Sequence, residues 1–81
     1  MSTYDVMWVS HAEEQFNSLP PRVRNAVMAK VMLLQQDPIR YGMYDTKADN
    51  YTTDFPFGVI MYAVVATRPQ VIMLRVSAVD M

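Results

Sequence analysis

The chain contains no cysteine and a single histidine, His11. Disulfides and thiolate sites are thereby excluded, and too few nitrogen ligands remain for the usual zinc site. No apolar run approaches the ~20 residues that a membrane-spanning helix needs, and the first residues lack the basic-then-apolar order of a signal peptide. A soluble cytoplasmic protein with no membrane association is the expectation. Net positive charge is missing too: the formal charge is -1 and the sequence pI about 5.6. There is no global field to draw in phosphates, so direct high-affinity nucleic-acid binding is not expected. There are no internal repeats and no low-complexity tracts.

What is present is a strongly apolar chain, with 52% hydrophobic and 19% charged residues over 81 positions. That composition belongs to a globular chain, and the length allows one domain spanning 1–81 with one small core. A core of that size does not cover all the apolar surface, so a protein partner or a homo-oligomer is a reasonable expectation.

Tyr4 to Val9 is β-branched and aromatic enough for a first strand, with Val6 and Trp8 on one face and Met7 and Val9 on the other. Ser10 and Glu13 follow at capping-box spacing, which predicts a helix start with the Ser10 hydroxyl accepting from the residue 13 amide. Ala12, Phe16 and Leu19 continue at helical spacing until Pro20-Pro21 closes the first helix; Pro21 suits the first turn of a second. Val23, Ala26, Val27, Ala29, Val31, Leu33 and Leu34 recur at three and four residues, Arg22, Arg24, Asn25 and Lys30 make the polar face, and Asp37-Pro38 ends that helix. Residues 39–50 read as a polar loop, with a short strand conceivable around Met43-Tyr44. Three strands then follow, Tyr51 to Phe55, Val59 to Ala66 and Gln70 to Val76, separated by Pro56-Phe57-Gly58 and Thr67-Arg68-Pro69. Val59 to Val65 is apolar on both faces, as the middle strand of a sheet would be. The predicted fold is α+β, in the order β-α-α-β-β-β: a mostly antiparallel four-stranded sheet with both helices on one face.

The runs AEEQFNSLPPRVRNAVMAKVMLLQQDP, YTTDFPFGVIMYAVV and QVIMLRV resemble the RelE/ParE superfamily of bacterial toxins, whose members place Leu-Pro and Asn-Pro or Asp-Pro at the helix ends and finish with a three-strand meander. The resemblance implies a toxin of a toxin-antitoxin module of the plasmid-stabilising kind, and a cognate antitoxin wrapping its sheet and helix grooves. In the ribosome-dependent ribonucleases of that superfamily, meander arginines and lysines hold the scissile phosphate. By resemblance those positions fall near Thr52 to Asp54, Val59 and Ala78-Val79, all neutral, apolar or acidic here. Charge building up on phosphoryl oxygens must be met by nearby cations, and removing one such donor costs roughly 10²–10³ in rate. The expectation is therefore a toxin-like protein that binds a protein, as the ParE type impairs DNA gyrase.

Two other readings stay open. One is an atypical mRNA endoribonuclease on the ribosome, in which Arg40, Lys47, Tyr51 and Arg75 make the RNA contacts; the same four are the candidate partner contacts otherwise. The other is a non-toxic interaction module or homodimer that kept the fold. Arg75 is the one cation within the predicted strands and reads more readily as a solvated edge-strand arginine. His11 near a helix start reads as a solvated turn residue rather than a general base. Tyr41, Tyr44 and Tyr51 alternate with Arg40 and Lys47 as base-stacking surfaces do, but Asp45, Asp49 and Asp54 offset the charge, and a loop packed on the sheet fits better. Those aspartates lack the glycine and terminal glutamate of a calcium loop. No metal and no cofactor is expected, and the eight methionines read as adaptable core filling.

Overall fold

The computed structural model describes residues 3–78. Seven elements follow in order: β1 (Asp5–Trp8), α1 (Ser10–Asn17), α2 (Pro21–Gln36), β2 (Met43–Asp45), β3 (Asn50–Phe55), β4 (Gly58–Val65) and β5 (Gln70–Ala78). The sheet has five strands in the order β1-β5-β4-β3-β2, one more than the four expected, because Met43–Asp45 pairs with β3 as a short outer strand. β4 occupies the centre, as its two apolar faces require. The β3-β4-β5 meander is antiparallel, and β1 closes the far side by running parallel to β5.

α1 begins where expected but without the capping box. Val9 is the cap residue, its carbonyl accepts from the Glu13 amide at 3.0 Å, and no side chain caps the helix. The reason is that Val9 is still tied to the sheet, its N–H donating to the Met73 carbonyl. Ser10 is therefore already helical when the chain leaves β1. α2 starts with Pro20 as cap and Pro21 in its first turn, where a missing amide hydrogen costs nothing. It buries Val23, Val27, Val31 and Leu34, one stripe at helical spacing, against the sheet. Chain start and helix end are tied together: the Tyr4 amide donates to the Gln35 carbonyl at 2.8 Å, and the Gln35 amide group donates back to the Tyr4 carbonyl.

Strand alternation sorts the sheet into two faces. Toward the helices, one lateral row crosses all five strands as Trp8, Met73, Tyr62, Tyr51 and Tyr44. Its centre is sealed, with Met73 and Tyr62 both fully buried. A β-bulge interrupts the β4-β5 register: Met61 stands opposite Arg75 while Tyr62 stands opposite Met73, so Leu74 is the additional residue. This shift keeps Val71 and Met73 inward before the bulge and Val76 inward after it. It also turns Arg75 outward. Uninterrupted alternation would have aimed that arginine at the core.

Candidate functional site

The face of the sheet away from the helices is the open one. Four lateral rows define it: Asp5, Gln70 and Val65; Met7, Ile72 and Ala63; Arg75, Met61, Thr52 and Met43; Ser77, Val59 and Asp54. Met7, Met43 and Val59 are exposed here, Met43 at 75%. Arg75 is the one cation within the strands, and it is solvent-exposed. Its strand is not an edge strand, as the sequence suggested, because β5 lies between β1 and β4. The solvation has another origin: β1 pairs only with Gln70 to Met73 and ends before reaching Arg75. Beyond that point the Gln15 side chain covers the bare edge, its Oε1 accepting from the Val76 amide at 2.8 Å.

The four candidate contact residues are not brought together. Arg75 stands on the open face, whereas Tyr51 points toward the helices, stacked on Tyr62 with ring centroids 5.6 Å apart and 5.2 Å from the Tyr44 ring. Lys47 sits in the exposed β2-β3 turn, where its amide donates to the Asp45 carboxylate. Arg40 belongs to the loop between α2 and β2 and lies over the Tyr41 ring, 5.7 Å from its centroid. The tyrosine and basic residues of 40–51 thus form no shared stacking platform. Tyr44 instead donates to the Asp49 carboxylate at 2.5 Å, a bond that raises the pKa of its phenol.

Arg40 shares a depression with a second cation, Lys30 of α2. The two line this depression of about 390 Å³ together with Gly42, Met43, Thr52 and Asp54. It lies where β3 runs past the end of β2, whose pairing stops at Met43 opposite Thr52. Asp54 offsets part of the positive charge. Among the positions where the ribonuclease arginines were sought, Thr52, Asp54 and Val59 stand on the open face, and Val79 lies outside the described residues.

The loop that carries Arg40 is held by groups that only the structure discloses. The buried Tyr62 hydroxyl donates to the Pro38 carbonyl at 2.6 Å, and the Thr53 hydroxyl donates to the Tyr41 carbonyl at 2.7 Å. Burial, with the neighbouring Tyr51 and Asp37, pushes the Tyr62 phenol up to about 12. Gly42 fits against that hydroxyl because it has no side chain: a Cβ there would lie 1.8 Å from the Tyr62 oxygen. The available signal was the scarcity of glycine, since only two occur and both mark close approaches. Among the described residues no three His, Asp or Glu side chains gather as a metal site, and no helix is long and apolar enough to cross a membrane.

No protein-family model matches the chain, and no curated protein matches it. Solved structures do. A chain of the toxin-antitoxin complex RelBE2 from Mycobacterium tuberculosis superposes with a TM-score of 0.87 at 24% identity, over 95% of this chain and 99% of that one. A chain of the intact E. coli RelBE toxin-antitoxin complex gives 0.81 at 18% identity, over 96% of this chain and 99% of that one. This chain therefore has the RelE-like fold.

Proposed function

We propose that the chain is the toxin-like component of a toxin-antitoxin module and that it acts by binding a protein, a gyrase-type target being the leading candidate. The observation that carries this reading is the open face itself: its strands carry one cation, Arg75, and Met7, Val59, Met61, Ala63 and Ile72 share the face with Asp5 and Asp54. In-line cleavage of RNA needs preorganised cations where negative charge develops. A face of exposed methionine and valine suits an adaptable apolar contact instead. A cognate antitoxin would cover such a face with an extended or helical segment. The likeness to chains of RelBE complexes supports a partner of that kind.

The depression between Lys30 and Arg40 supports a second reading, an atypical ribosome-dependent endoribonuclease, because two cations there flank Thr52 and Asp54. Induced expression in a bacterial host separates the two. Growth arrest with altered plasmid supercoiling and intact messages is the result expected. Arrest with fragmented messages and unchanged supercoiling would transfer the function to the nuclease reading. Unimpaired growth would refute both.

A further inference from the structure

A second hollow lies on the helix side of the sheet, and the toxin-like reading makes no use of it. α1 presents Glu13, Phe16 and Asn17 along one flank, since residues three and four apart are neighbours on a helix. Trp8 meets them from β1, an outermost strand, and Met28 from α2, and the five side chains line a notch of about 270 Å³. Two of its walls are aromatic: the Trp8 and Phe16 ring centroids lie 5.1 Å apart with their planes tilted by 49°. Both rings are only half-buried. Met28, 42% exposed, adds a polarizable thioether. Glu13 is the one charged side chain in the lining, and it is exposed. Its carboxylate is not engaged by the helix end, because no side chain caps α1. Arg24 stands a turn before Met28 on α2 and is not part of the lining.

We propose that this notch seats one arginine side chain from a basic segment of a protein partner. Charge complementarity selects the occupant: a carboxylate beside two aromatic rings, with no cation in the lining, is the complement of a cation that lies against ring faces. Among cations, guanidinium fits the rim better than ammonium. Glu13 offers carboxylate oxygens and Asn17 an amide oxygen from the same flank of α1, and a planar group with five N–H donors serves both while stacking on an aromatic face. The arginine stem is apolar and packs on Phe16 and Met28. Size points the same way, because the notch falls below the ~300–1,000 Å³ of pockets for drug-sized ligands and suits a single side chain. An aliphatic anchor would fill the same space but leave the Glu13 carboxylate against it without a donor.

Trp8 is the chain's single tryptophan, so indole fluorescence reports on this notch alone. The probe is N-acetyl-arginine methylamide, which mimics an arginine within a chain, and the control is the uncharged N-acetyl-citrulline methylamide. One side chain at an exposed rim binds weakly, so both are titrated to high concentration at constant ionic strength. The arginine probe should change Trp8 emission saturably, with citrulline binding at least fivefold more weakly. Glu13→Gln should weaken the arginine probe at least fivefold and leave citrulline unaffected. Met28→Lys, which sets a competing cation at the rim, should weaken the arginine probe as much, with the circular dichroism of both variants unchanged. No saturable response, equal binding of the two probes, or arginine binding indifferent to both substitutions would overturn the proposal. Tighter binding of free arginine than of the blocked probe would assign the notch to the amino acid and overturn the partner segment. Trp8 points away from the open face, as its neighbour Met7 lies on it. Neither outcome therefore bears on supercoiling or message integrity, and this test and the expression test fail independently.

Discussion

At the scale of single residues, the account turns on Tyr62, which ties the sheet's centre to the loop that carries Arg40. Replacing it by phenylalanine leaves the buried Pro38 carbonyl without its donor, a loss of roughly 1–3 kcal/mol; urea unfolding should show it directly. The same phenol sets an alkaline limit. Its folded value of about 12 lies above the ordinary 10.0, so the neutral form is favoured by folding. Stability is therefore full below pH 10 and declines as pH rises toward 12, because the unfolded chain releases its proton first. Unfolding curves at pH 9 and pH 11 should differ for the natural chain by more than they differ for Tyr62→Phe. Gly42→Ala forces a methyl against the Tyr62 oxygen and should cost about 1–3 kcal/mol. Part of that loss should vanish in the Tyr62→Phe background, where the colliding oxygen is gone but the ring Cζ, 2.8 Å from the added carbon, remains; a double-mutant cycle reads the coupling. Additive losses would mean that the glycine serves some other neighbour, such as the Thr52 carbonyl.

At the scale of elements, most of the fold was legible because its signals are local. Two prolines fix the start of α2 and Asp37-Pro38 fixes its end; of its apolar series Val23, Val27, Val31 and Leu34 are buried, whereas Ala29 and Leu33 face outward. The central position of β4 followed from its lack of a polar face. What escaped depends on partners distant in sequence. β2 reads in the sequence as a short strand around Met43-Tyr44 within a loop, but its place in the sheet comes only from its pairing with β3. The Ser10 capping box gave way to the Val9 carbonyl because β5 already held the Val9 amide. The outward aim of Arg75 depends on a register shift at Leu74 that no local pattern announces. Gln15 is a similar case, since its role as cover for the β5 edge requires knowing where β1 stops. Gln15→Ala should cost about 1 kcal/mol and speed hydrogen exchange of the Val76 amide while leaving the Val71 amide protected. Equal acceleration at both would point to global loosening instead.

At the scale of the whole molecule, a shared fold does not by itself carry shared chemistry. A chain can keep the RelE-like arrangement of helices and meander while its open face carries Thr52, Asp54 and Val59 where the resemblance implies phosphate contacts. The candidate site was only partly readable: the scarcity of cations in the meander, Arg75 apart, was visible in the sequence, but the depression that Lys30 and Arg40 both line was not, since it joins α2 to a loop. The two cations are the feature most able to contradict a protein-binding role. Mapping of message 5′ ends in cells expressing the chain therefore tests the central claim most directly. The account predicts no translation-dependent new ends, with or without Arg40→Ala. New ends within translated codons that disappear in the Lys30→Ala or Arg40→Ala chain would contradict it.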